Sequence, residues 1–129
     1  MEIREDRKYT KEHEWAQKRD GKVFVGISDY AQSELGDVVF VDLPDIGMEI
    51  QKGDGVLSVE SVKEVSEVYA PVTGKVSERN DSLEDAPELV NTSSYDDGWM
   101  LALEQWSESD FDALMSADEY KAYVSEVSR

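Results

Sequence analysis

The run VESVKEVSEV at residues 59–68 holds one lysine, Lys63, among valines, serines and three glutamates. Three chemistries are open to such an amine. As an ordinary surface charge it does no more than stay hydrated. As a general base or Schiff-base nucleophile it must be neutral near pH 7, and Glu60, Glu64 and Glu67 favour the ammonium form instead. As the attachment point of an arm acylated onto it by another enzyme, it needs only an exposed position on a tight turn. Other constellations are poorer. His13 is the single histidine, set between Glu12 and Glu14, and the chain has no cysteine, so a transition-metal site lacks both thiolates and a second imidazole. Ser28, Ser58 and Ser61 have no elbow motif or second imidazole that would make one of them a nucleophile. The KGDG at residues 52–55 lacks the ending of a phosphate loop, and Asn91-Thr92-Ser93 fits the glycosylation pattern by letter only.

What positions Lys63 depends on the valines around it. Val59, Val62, Val65 and Val68 recur every third residue, a spacing that suits one face of a helix. Yet β-branched side chains lose rotamer freedom in helices and suit a pleated surface, and the run lies between a Gly-rich turn and Ala70-Pro71. The better reading is a hairpin bent at Val62-Lys63, with Leu57, Val59 and Ser61 on the same side as Glu64, Ser66 and Val68. Upstream, Lys22–Ile27 follows the turn signal Asp20-Gly21 and reads as a strand paired with the segment around Trp15. Ser28 caps a short helix, DYAQSEL, that stops at Gly36. Residues 37–43 form a second strand ended by Pro44, and shorter strands are expected near Glu49-Ile50 and over residues 55–61, 65–70, 74–78 and 99–104. Towards the C-terminus, Ser109 with Asp112 and Ser116 with Glu119 read as two helix starts, the second a capping box. The apolar stripe Tyr120, Tyr123, Val124 and Val127 follows it.

At 129 residues the chain fits one domain, residues 1–129. Thirteen basic residues against 30 acidic ones leave a net charge of −17, which repels phosphate backbones and anionic membranes, so neither nucleic acid nor membrane is expected as a partner. The N-terminus has no apolar export core and is too acidic for a transit peptide, so a cytoplasmic location is expected. Without cysteine, any sulfur redox chemistry must come from an attached group.

The segment GDGVLSVESVKEVSEVYAPVTGKVSERN resembles the lipoyl-lysine motif of the glycine cleavage system H protein family: a Val-Glu-Ser-Val-Lys bend, a strand and an Ala-Pro-x-x-Gly turn. YTKEHEW at residues 9–15, VGISDYAQSELGDVVFVDLPDIG at 25–47 and NDSLEDAPELVNTSSYDDGWM at 80–100 resemble the same family in order and spacing, so the likeness covers about residues 7–125. It implies a mainly β fold, a barrel-sandwich hybrid of two small antiparallel sheets with short terminal helices. The lipoyl-like core would span about 22–104 and the C-terminal helices about 108–127.

The resemblance also implies a non-catalytic carrier. Lipoate, covalently bound to Lys63, would accept the aminomethyl group of glycine from a pyridoxal-phosphate-dependent glycine decarboxylase (P protein) and present it to a tetrahydrofolate-dependent aminomethyltransferase (T protein). The dihydrolipoyl form would then be reoxidised by dihydrolipoyl dehydrogenase (L protein). A lipoate ligase or lipoyl transferase would load the lysine, reading Glu60 and Ser61, with Glu60 holding the amine in place. Glu14, Glu12 and Glu67 are the implied carboxylates of a cleft that shelters the arm, with Ile27 and Tyr30 as its walls. A monomer is expected. Glu64 stands where a small residue is commoner and Ser58 where glycine or alanine is more usual, which bears on ligase preference. Two other readings share the lysine: an H-like relay donating lipoyl groups to 2-oxoacid dehydrogenase subunits, and an unmodified interaction module.

Overall fold

The computed structural model describes residues 1–128. In chain order its elements are β1 (Lys8–Tyr9), β2 (Glu14–Arg19), β3 (Lys22–Ile27), α1 (Asp29–Leu35), β4 (Val38–Asp42), β5 (Glu49–Ile50), β6 (Gly55–Ser61), β7 (Val65–Tyr69), β8 (Gly74–Arg79), α2 (Ser82–Asp85), α3 (Leu89–Thr92), β9 (Leu101–Glu104), α4 (Glu108–Asp112) and α5 (Ala117–Val127). The strands form two antiparallel sheets, one of six strands in the order β1-β2-β3-β9-β8-β5 and one of three in the order β4-β6-β7. The fold is mainly β, as expected, although β1 and β2 make the first sheet twice the size of the second.

The turn chemistry sets the first hairpin. Asp20 and Gly21 both take positive φ, 53° and 78°, the backbone that matches the twist of a two-residue hairpin, and so Arg19 pairs with Lys22. That register puts Trp15 opposite Gly26, where a Cβ would come within 2.6 Å of the indole ring. The indole Nε1 donates to the Ser94 carbonyl at 3.0 Å. The helix expected after Ser28 forms, with Ala31 N donating to the Ser28 hydroxyl, and it ends at Gly36 with φ of 79°.

The core lies between the sheets, where Val41, Val59, Val25 and Leu103 from both are fully or nearly fully buried. A second, aromatic cluster joins Tyr9, Trp15 and Tyr95 to Tyr120 and Val124 of α5; the Tyr9 and Tyr120 rings stack with centroids 4.4 Å apart. α5 starts with the capping box of Ser116 and Glu119. Its stripe is buried at Tyr120 and Val124, half-buried at Tyr123 and open to solvent at Val127. The preceding helix departs from expectation: its cap is Ser107, not Ser109. Ser107 accepts from Asp110 N, and its own amide is held by the Thr73 carbonyl at 2.9 Å, a partner remote in sequence. β1, α2 and α3, of two and four residues, are too short for periodicity to reveal.

Candidate functional site

The run around Lys63 is a hairpin, not a helix. β6 and β7 pair Leu57 with Val68 and Val59 with Ser66, so the inner face carries the residues expected there. One buried hydroxyl gathers the bend: Ser61 Oγ accepts from Lys63 N and Glu64 N, each at 3.1 Å, while Ser61 N donates to the Glu64 carbonyl at 2.8 Å. Val62 N donates to the Asp37 carbonyl at 3.0 Å, which ties the tip to the start of β4. That start is held in turn by Asn91 of α3. Its Oδ1 accepts from Val38 N at 2.8 Å, and its Nδ2 donates to the Gly36 carbonyl at 2.9 Å and to Gln32 Oε1 at 3.0 Å. Sequence reasoning gave Asn91 no role beyond the glycosylation pattern.

Lys63 itself is exposed. Its stem passes over Gly36, where a Cβ would stand 3.4 Å from Lys63 Cε. Among the described residues its Nζ makes no ion pair, so Glu60 does not hold the amine as expected. The reason is geometric. Glu60 sits on the outer face of the small sheet between Phe40 and Val65, while the lysine stem turns towards α1.

Beside the bend a cleft of about 670 Å³ opens between the residue 12–14 segment, α1 and the edge strand β7. Glu12, Glu14, Glu67, Ile27 and Tyr30 all line it, joined by His13, Glu34, Glu64 and Tyr69, which sequence reasoning did not place there. Glu14 is only 2% exposed. It accepts from Thr10 Oγ1 at 2.5 Å and from the Tyr69 amide at 3.1 Å, clipping the large sheet to the edge of the small one. Burial raises its pKa above the ordinary carboxylate value, and the two donors oppose that shift. Glu12 and Glu67 are exposed.

His13 adopts a positive φ of 73° that no sequence pattern announced. Its Nδ1 lies 2.9 Å from Tyr120 Oη, which is 2.7 Å from the capping hydroxyl of Ser28. Its ring centre is 4.8 Å from that of Tyr30. Burial lowers its pKa, while Glu12 and Glu34 pull the other way. Among the described residues no group of three or more His, Cys, Asp or Glu is arranged to hold a metal ion, and no helix is long and apolar enough to cross a membrane.

The chain matches the family model described as Glycine cleavage H-protein over residues 7–127. It is 52% identical over 126 residues to the glycine cleavage system H protein of Anaeromyxobacter sp. (strain K), spanning 98% of both chains. To the protein of the same name from Oceanobacillus iheyensis it is 53% identical over 124 residues, 96% of this chain and 98% of the relative. Among solved structures it is similar to the crystal structure of a glycine cleavage system H protein from Mycobacterium marinum, with a TM-score of 0.84 and 34% identity over 98% of this chain and 100% of that one.

Proposed function

The chain belongs to the glycine cleavage H-protein family, and from that membership we propose that Lys63 is the lysine on which its lipoyl group is attached. The protein is a lipoylated carrier of the glycine cleavage system and not itself a catalyst. The single observation that carries the Lys63 assignment is the contrast between its root and its tip. The bend is fixed by Ser61 and by the Asp37 carbonyl, while the exposed Nζ has no ion-pair partner among the described residues. A fixed root and an unencumbered amine are what covalent attachment of a swinging arm requires. Once bound, the group would supply a disulfide to accept the aminomethyl group of glycine, and would be left as a dithiol when that group is passed on.

The chain's own residues do the rest. The cleft beside the bend gathers Glu12, Glu14 and Glu67, a negative wall that favours an ammonium cargo over a neutral one, and Ile27 and Tyr30 narrow the access of water. Glu14 acts as much by clipping β7 in place as by its charge. For loading, Glu60 offers an exposed carboxylate to an approaching enzyme, and Ser61 contributes through the backbone shape that its buried hydroxyl imposes. The partners are the other glycine cleavage components. We assign these as the P protein, the T protein, the L protein and a lipoate ligase or lipoyl transferase, and the carrier as a cytoplasmic monomer of one domain.

Incubation with lipoate ligase, lipoate and ATP tests the attachment point. The chain gains the mass of one lipoyl amide and Lys63→Ala gains none; equal labelling of both overturns the assignment. Glycine-dependent exchange of CO₂ by the decarboxylase then responds to the loaded chain and not to Lys63→Ala.

A further inference from the structure

The outer face of the small sheet is unusual for a surface. Phe40 is 51% exposed, Val65 67% and Val62, at the tip, 67%. Phe40 pairs with Glu60 and Glu60 with Val65, so the three side chains cross β4, β6 and β7 in one row on the same face, next to the bend that bears Lys63. The following row, Asp42, Ser58 and Glu67, is polar and acidic and bounds the apolar strip. Exposed apolar side chains gathered beside a functional residue mark an interaction site.

Resting on the Lys63 assignment, we infer that this face is the footprint of the enzyme that acylates Lys63, and that this enzyme meets it with an apolar spot rimmed by basic side chains. Two observations choose that occupant. An amine on an unloaded lysine reaches only one side-chain length beyond the bend, so the acylating enzyme must press its active site onto the tip and cover the residues flanking it. Enzymes that meet the loaded arm can stand off by the arm's length. The second is charge. Glu60 lies at the centre of the strip and Glu64 at the tip, in a chain of net charge −17, which repels a second copy and attracts a basic rim.

The test is the steady-state kinetics of loading by a purified lipoate ligase, with the intact chain as substrate. Phe40→Ser combined with Val65→Ser raises KM about tenfold or more with kcat nearly unchanged, as expected for the loss of apolar anchors. Ile46→Ser with Met48→Ser, apolar residues also exposed but elsewhere, leaves KM unchanged. Glu60→Lys, which removes no packing, raises KM at low salt, and the gap to the parent chain narrows as salt is added. An unchanged KM in the Phe40/Val65 variant and in Glu60→Lys overturns the footprint. So does a KM effect confined to the decarboxylase with loaded chain, or a parent chain that is dimeric by light scattering and becomes monomeric in the Phe40/Val65 variant. If Lys63 takes up lipoate normally in these outcomes, the attachment assignment stands and only the footprint falls; labelling that survives Lys63→Ala sinks the assignment itself.

Discussion

Glu14 and His13 are neighbours in the chain, and burial moves their protonation in opposite senses. For Glu14 the folded pKa lies above the ordinary 4.5, so the folded state holds a proton that the unfolded state has released. Stability then falls as pH rises from about that value through the raised one. Glu14→Gln keeps the shape and the acceptor for Tyr69 N. The advantage of the parent chain over this variant therefore shrinks with rising pH across that window, read from urea midpoints. For His13 the folded pKa lies below the ordinary 6.5, and the unfolded state binds the extra proton. The parent chain gains on His13→Gln as pH rises through the interval ending at 6.5, and loses that gain on acidification. A pH-independent difference in either pair would contradict the burial seen here.

The elements around the lysine are braced by one side chain, Asn91, which serves three partners at once. Asn91→Ala strands the Val38 amide and the Gly36 carbonyl, at a cost of about 1–3 kcal/mol in denaturant unfolding. It also loosens the segment whose Asp37 carbonyl holds Val62 N, so the Val62 amide exchanges with deuterium faster than amides in β2 or β3. Gly36→Ala has a separate cause. Its backbone, φ 79° and ψ −164°, suits only glycine, and the substitution costs about 1–3 kcal/mol through that backbone alone, since the added Cβ meets the lysine stem at ordinary contact distance. Much at this scale was legible. Ser28 and Gly36 bracket α1, the capping box opens α5, and the valines with their flanking turns give the hairpin, because each signal is completed within a few residues. The start of α4 was not legible, since Ser107 is selected over Ser109 by a contact from Thr73 across the fold.

Across the whole molecule, 30 acidic residues face 13 basic ones, and the compact state gathers that excess onto a small surface. Among the described residues the ion pairs are mostly exposed, Lys18 with Glu108 among them, and exposed pairs contribute little. Screening therefore removes more repulsion than attraction. Added sodium chloride, from about 0.01 M to 1 M, raises the melting temperature at neutral pH; a fall would show that the ion pairs dominate.

Alternation, turn residues and caps are local, and with them the sequence by itself determined a β-rich chain carrying one lysine on a bend. Its likeness to a carrier family supplied the role and named five cleft residues. Only the tertiary structure decided that Glu14 reaches an amide 55 positions away, or that the bend hangs from the carbonyl of Asp37. It also decided that Phe40 faces solvent. In DVVFVDL either set of alternating side chains could have been the inner one, and the bulge between Val38 and Phe40 with the packing of Val41 on Val59 settles which is buried. A pattern of period two names two faces; only what packs against them tells them apart.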